Sequence, residues 1–259
     1  MKSKPNHDRI ALVTGAADRL GAAMARALAT AGWAVIIHHR GGREHALALA
    51  EDIRSAGGRA ATIAADLANR RQRAGVIEKA AAKFGPLSLL INNASSFEPD
   101  SVADLDEALW DRHMAIHLEA PAFLARDFAA QLPAGNQGNI VNIIDERVLR
   151  LTPNYFSYTL SKAALWTMTQ TMAQSLAPRI RVNAIGPGPT LQEKSQSRAK
   201  FAKSQAATPL GYAAGADDIC AALLYLLDAA PVTGQMIAVD GGRHLDFPPG
   251  RAPTPRRAK

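Results

Sequence analysis

The chain reads as α/β, a single doubly wound parallel sheet of seven strands. Three observations predict this. Short β-rich apolar runs alternate from end to end with longer alanine- and leucine-rich stretches of helical spacing. No Pro/Gly/Ser-rich linker and no internal repeat divides the 259 residues, a length sufficient for one large core. Hydrophobic residues make up 47% and charged residues 20%, a globular composition. Strands alternating with helices need right-handed crossovers, which place helices on both faces of a parallel sheet.

The strands are expected at Ile10–Thr14, Ala34–His38, Ala60–Ala64, Leu87–Ile91, Asn139–Ile144, Arg181–Ala184 and Met236–Val239. Helical spacing is clearest over Ala22–Ala31 and His45–Ala56. The domain is expected to span 9–248, with a polar segment 1–8 before it and a basic tail 249–259 after it. The longest apolar run, Ala221–Leu227, stops at Asp228, far short of the roughly 20 residues of a membrane span. Met1–Arg9 is polar, contains Pro5 and does not resemble a secretory signal. A lone Cys220 excludes an internal disulfide and a multi-cysteine metal site, and the histidines show no metal-ligand spacing. The chain therefore reads as soluble and cytoplasmic, with no metal and no membrane partner. Of the net charge of +7, the two termini carry +5, through residues such as Lys2, Lys4, Arg256 and Lys259. So little charge is left on the body that nucleic acid is not an expected partner.

The first strand runs into Thr14-Gly15-Ala16-Ala17-Asp18-Arg19-Leu20-Gly21 and then an alanine-rich helix. Glycines in a tight turn before a helix N-terminus let a pyrophosphate approach unpaired N–H groups and their partial positive charge. Gly15, Arg19, Leu20 and Gly21 are thus expected at a dinucleotide. About 20 residues further on, an NAD site places an acid on the ribose 2′-OH. Here the stretch is Ile37-His38-His39-Arg40-Gly41-Gly42-Arg43, without a carboxylate before Glu44. Arg40, beside His39 and supported by Arg19, suits a 2′-phosphate instead. The cofactor favoured is NADPH.

Beyond the fifth strand stands Asp145, then Tyr158, with Lys162 one helical turn later. At i, i+4 the tyrosine and lysine share a helix face, and a nearby ammonium is expected to lower the phenol's pKa for proton transfer.

With these residues the chain resembles the short-chain dehydrogenase/reductase family over about Ile10 to Leu245. The markers are Thr14–Gly21, Asp66-Leu67, Asn92-Asn93-Ala94, Tyr158/Lys162, Pro187-Gly188 and Val239-Asp240-Gly241-Gly242. The resemblance implies a Rossmann-type sheet of order 3-2-1-4-5-6-7 and a homotetramer. It places Asp66 at the adenine, Leu67, Asn93, Ala94 and Ser95 beside the cofactor, and Pro187, Gly188 and Thr190 at the nicotinamide carboxamide.

Several positions depart together from the common family pattern. Arg19 stands where a middle glycine is usual, Ala94 is followed by Ser95-Ser96-Phe97 rather than glycine, and Asp145 replaces the catalytic serine. This set resembles the pteridine reductases. His117 in place of asparagine, with Gly241-Gly242-Arg243-His244-Leu245, is similar to bacterial dihydromonapterin reductases. The chemistry agrees. A serine hydroxyl donates to a substrate carbonyl, whereas ionised Asp145 only accepts and suits a heterocycle rich in N–H groups. Phe97 can stack on a flat ring, with Arg19 and Ser96 at its edge. The expected reaction is hydride transfer from NADPH to a C=N bond of a dihydropterin-like small molecule, with Tyr158, Lys162, Asp145 and His117 in the catalytic set.

Other readings stay open. Phe97 can be a core aromatic, Asp145 can cap a loop or pair with Arg147, and His117 can be structural. A ketone or aldehyde reductase, or a cofactor-binding regulator with little turnover, fits the same fold. Thr190–Thr208, with Gln192, Lys194, Gln196, Arg198, Lys200 and Phe201, is expected to form the substrate lid.

Overall fold

The computed structural model describes residues 9–192 and 197–245. The two terminal segments expected outside the domain, its last residues 246–248, and Lys194 and Gln196 of the lid lie outside these. The strands are β1 (Ile10–Val13), β2 (Ala34–His39), β3 (Arg59–Ala64), β4 (Leu89–Asn92), β5 (Gly138–Ile143), β6 (Ile180–Pro187) and β7 (Met236–Val239). They form one sheet of order β3-β2-β1-β4-β5-β6-β7, with every pairing parallel. The helices are α1 (Arg19–Thr30), α2 (Arg43–Ser55), α3 (Arg70–Arg73), α4 (Val76–Phe84), α5 (Glu107–Met114), α6 (Ala120–Gln131), α7 (Phe156–Leu176), α8 (Arg198–Ala206) and α9 (Ala216–Asp228). None is long and apolar enough to cross a membrane.

The central strand explains the layering. Ala11 and Val13 enter one core with Met24, Leu28, Ile219 and Leu223, while Ile10 and Leu12 enter another with Val76, Leu124 and Phe128. Alternate side chains of a strand point to opposite faces, so a continuously apolar β1 needs helices on both.

Some strand ends differ from expectation. β1 ends at Val13, one residue before Thr14, whose N–H still donates to the Ile91 carbonyl and whose Oγ1 donates to that carbonyl and accepts from the Asn93 and Ala94 N–H groups. β6 runs past Ala184 to Pro187, since β7 pairs with it through that end. The polar Asn183 inside β6 is buried, donating to the Val232 carbonyl and accepting from the Gln235 N–H. α1 begins at Arg19, three residues earlier than the alanine run suggests.

β1 pairs with β2 on one side and β4 on the other, so the connections diverge between β1 and β4. At such a switch point a crevice opens at the carboxyl ends of the strands. α5 continues into α6 through a π-helical turn, Ala115–Glu119, which carries His117 into the interior.

Candidate active site

The crevice is a cleft of about 650 Å³. It brings together Gly15, Arg19, Leu20, Gly21, Asn93, Ser95, Phe97, Asp145, Tyr158, Lys162, Pro187, Gly188 and Thr190. A smaller cavity of about 510 Å³ lies at the other end of the strands, beside Arg9, Trp33 and Arg181. There Arg181 is engaged in donating to the carbonyls of Leu226, Leu227 and Val232.

At the nucleotide end, Gly15 has φ of 61°, and a β-carbon there would fall 2.8 Å from the Ala94 Cα. His38, given no site role by the sequence, holds this turn. Its Nδ1 accepts from the Gly15 N–H at 3.1 Å, and its Nε2–H donates to the Ala65 carbonyl at 3.1 Å. Burial drives its pKa down to about 4. The unfolded chain therefore takes up this proton near pH 6.5 and the native protein only near pH 4. This contribution to stability is complete above pH 6.5 and is lost as pH falls toward 4, about 3 kcal/mol in all. Urea titrations at pH 7.5 and 5 are expected to show a drop in wild type that is smaller in His38→Asn by about 2 kcal/mol, the part of this contribution lost before the native histidine itself begins to protonate.

Among the described residues, no side chain caps the α1 N-terminus. Asp18 makes no side-chain cap hydrogen bond, and no acidic residue occupies the first turn. Its free N–H groups and the open glycine turn fit a pyrophosphate. Arg40 is exposed at the end of β2, as a 2′-phosphate clamp requires. Arg40→Ala is expected to weaken NADPH about 10- to 100-fold and leave NADH nearly unchanged in fluorescence titrations. His39 is buried with Nδ1 against the Gly41 carbonyl, and the Leu67 side chain packs into the core. Asp66 Oδ1 accepts from the Ala68 N–H at 3.0 Å. These residues, with Arg40, Ala94, Ser96 and His117, stand outside the cleft lining.

Arg19 has φ of 52°, in the left-handed region that explains why glycine is usual there. A non-glycine residue holds that conformation at a cost of roughly 1–2 kcal/mol. In return its guanidinium crosses the cleft and donates to the carbonyls of Gln192 at 3.0 Å and Leu191 at 3.3 Å.

At the catalytic end, the Tyr158 hydroxyl donates to Asp145 Oδ2 at 2.9 Å, while Asp145 Oδ1 accepts from the Arg147 N–H at 2.9 Å. Asp145 thus caps a short turn and also faces the tyrosine. Burial raises its pKa, opposed by Arg147, Tyr158 and Lys162. Lys162 is 2% exposed and donates from Nζ to the Ile143 carbonyl at 2.8 Å. Burial lowers its pKa to about 8. The expectation of a lowered tyrosine pKa is corrected here. Burial, and then the charge of Asp145, push the Tyr158 phenol well above 10, because its hydrogen is held by a carboxylate while Nζ is turned to the backbone.

His117 is held on every polar atom. Nε2 accepts from the Ser96 N–H at 3.1 Å and the Ser95 hydroxyl at 2.9 Å, and Nδ1–H donates to Ser161 Oγ at 2.8 Å. Burial depresses its pKa well below the usual value, so the ring is neutral. It anchors the loop that carries Phe97. The Ser96 hydroxyl donates to Glu98 at 2.9 Å. Phe97 is half-buried at the cleft, stacked on Tyr155 at 4.4 Å between centroids and edge-on to Tyr158 at 4.8 Å. Arg147 lies over both rings. Tyr155 takes the left-handed region, with φ of 61°, just before α7. The sequence reading missed Tyr155, Glu146 and the role of Arg243, all at the cleft. The charged triplet Asp145-Glu146-Arg147 directly after an apolar strand was a usable signal for Glu146, and Tyr155 had none.

This site, on this sheet, defines an oxidoreductase that binds a nicotinamide dinucleotide, and the chain belongs to the short-chain dehydrogenase/reductase family. The family model that matches, described as enoyl-(acyl carrier protein) reductase, covers residues 15–244. Among solved structures the chain is similar to the FolM alternative dihydrofolate reductase 1 of Brucella suis in complex with NADP. That likeness has 45% identity and a TM-score of 0.87, covering 92% of this chain and 96% of that one. The Brucella canis counterpart, also complexed with NADP, has 45% identity and a TM-score of 0.89 over 96% and 97% of the two chains. A cis-4-hydroxycyclohexanecarboxylate dehydrogenase of Sinomonas cyclohexanicum is 36% identical over 244 residues, 91% of this chain and 96% of that protein. The cofactor is NADPH, as the missing acid after β2 predicts and the NADP-bound neighbours support.

Proposed function

We infer that this oxidoreductase reduces a C=N bond of a dihydropterin-like substrate. The observation that carries the reading is the carboxyl of Asp145 at 2.9 Å from the Tyr158 hydroxyl, where a carbonyl reductase needs a donor. A buried carboxylate repels a developing alkoxide and welcomes amino and ring N–H groups. The likeness to proteins described as alternative dihydrofolate reductases points the same way.

NADPH, when bound, supplies the hydride. The helix α1 N-terminus, Gly15, Gly21 and Arg40 would hold its phosphates, and Asn93, Ser95 and the Pro187–Thr190 turn its nicotinamide half. Tyr158 keeps its proton at neutral pH and releases it to the reduced nitrogen. Asp145 accepts substrate N–H groups and the tyrosine's own hydrogen, and a proton taken up from solvent restores the tyrosine after each turnover. Lys162 holds positive charge beneath the ring, with Nζ 5.7 Å from its centroid. Phe97 forms one wall, and His117 fixes the loop that presents it. The reading includes a cytoplasmic homotetramer, which light scattering on the purified protein tests for assembly.

NADPH oxidation by the purified protein, with dihydropterins and a panel of ketones side by side, tests the assignment. Turnover of dihydropterins and little of ketones is expected. Activity on ketones alone overturns the substrate and leaves the family and cofactor intact.

A further inference from the structure

Next to the catalytic carboxyl lies a second buried one whose partner reaches the lid. Arg243 Nε stands 3.1 Å from Glu146 Oε1, and the Glu146 side chain is only 7% exposed. The other end of the same guanidinium, Nη1, donates to Ser204 Oγ at 2.8 Å and to the Ser204 carbonyl at 3.3 Å. Glu146 Oε2 and Arg243 Nε are both buried with no hydrogen-bond partner among the described residues, so the two side chains are joined by charge alone. Burial, helped by Asp145 and Asp240 and opposed by Arg243 and Arg147, pushes the Glu146 carboxyl up to about 7.

The two ends of this contact differ in rigidity. Arg243 follows a locked turn. Asp240 Oδ1 accepts from the Gly242 N–H at 2.9 Å, and Oδ2 accepts from the His244 N–H at 2.7 Å and Nδ1 at 2.8 Å. Gly241 sits so close to the Tyr212 carbonyl and Thr208 that a β-carbon has no room. Helix α8, by contrast, buries none of its side chains, although Lys200, Phe201 and Ser204 line the cleft. A helix without a buried apolar stripe is held by its polar contacts and opens easily when they are lost.

We propose that Arg243 is a latch that holds helix α8 over the cleft through Ser204 and is aimed by Glu146, so that the pair sets how closely the substrate is enclosed. Both are positioning residues acting through α8, and the inference stands whichever molecule the cleft reduces. The guanidinium suits this because its rigid fork serves two partners at once, which a lysine ammonium on a flexible stem does not. Removing one member of a buried ion pair leaves the other uncompensated, whereas replacing both is milder.

Hydrogen–deuterium exchange at the amides of residues 198–206, in the NADP⁺-loaded protein, tests this without any substrate. Arg243→Gln is expected to speed exchange there about tenfold, the loss of a hydrogen bond to a charged group. Ser204→Ala, which touches only the lid side of the contact, is expected to act in the same direction by less. The double variant Glu146→Gln/Arg243→Gln is expected to exchange more slowly than Arg243→Gln alone, because two amides pair without charge. With a dihydropterin as substrate, KM is expected to rise about tenfold in Arg243→Gln and kcat to change less than twofold. Unchanged α8 exchange in both Arg243→Gln and Ser204→Ala, or strictly additive effects in the double variant, overturns the latch. So does a loss confined to kcat. Failure of the dihydropterin assignment silences only the kinetic arm, and the exchange result stands apart from it.

Discussion

Tyr158→Phe is expected to cut kcat for dihydropterin reduction by roughly 10²- to 10⁴-fold, the range for loss of a positioned general acid. NADPH affinity, read by fluorescence titration, is expected to stay within about twofold, since the phenol oxygen faces Asp145. The reasoning is electrostatic. The phenol's raised pKa keeps a proton on Tyr158 at neutral pH, and the substrate nitrogen draws that proton only as hydride arrives. The deletion also leaves Asp145 Oδ2 without its partner, which drives that carboxyl further toward its neutral form. A small loss of stability, about 1 kcal/mol for one hydrogen bond, accompanies it and is separable by urea titration. If the phenylalanine variant retained wild-type turnover, Tyr158 would not be the proton source.

Asp145→Ser is the change with the largest effect on substrate choice. A hydroxyl donates where the carboxylate accepts, so the site gains a partner for a carbonyl oxygen and loses one for N–H groups. Hydrogen bonds to a charged group contribute about 1.5–3 kcal/mol. Dihydropterin kcat/KM is therefore expected to fall, and ketone kcat/KM to rise, by roughly 10- to 100-fold each. The check is the ratio of the two in one NADPH-oxidation assay. A loss on both substrates would mean that Asp145 serves mainly as the cap of the Arg147 N–H, a contact at 2.9 Å that serine would have to remake. The carboxylate would then not be the element that selects the substrate.

Elements with strong local patterning were legible in advance. β1 is an unbroken apolar run and β2 is apolar up to Ile37, before His38 and His39, because both faces of a central parallel strand are covered, and both lie where expected within a residue. Tyr158 and Lys162 were legible because a four-residue spacing means one helix face, and both prove buried on α7. The Arg19 departure was visible as a missing glycine, and its positive φ explains the general preference. The direction of the tyrosine's pKa was misjudged, because spacing says that two side chains are neighbours and not where each polar atom points. Nζ turns to the Ile143 carbonyl, so the carboxylate, not the ammonium, takes the phenol's hydrogen.

Composition and periodicity were thus enough for a doubly wound sheet, and short motifs were enough to bring the glycine turn and the Tyr158/Lys162 pair to one cleft, because each is encoded within a short stretch of chain. The contacts that set the chemistry of the cleft join residues far apart in sequence. His38 reaches Gly15 and Ala65, His117 reaches Ser96 and Ser161, and Arg243 reaches Glu146 and Ser204. No local pattern announces such pairs. They form because a parallel sheet delivers the ends of β1, β4, β5, β6 and β7 to one edge, where burial makes an unpartnered polar group costly and selects the partner within reach.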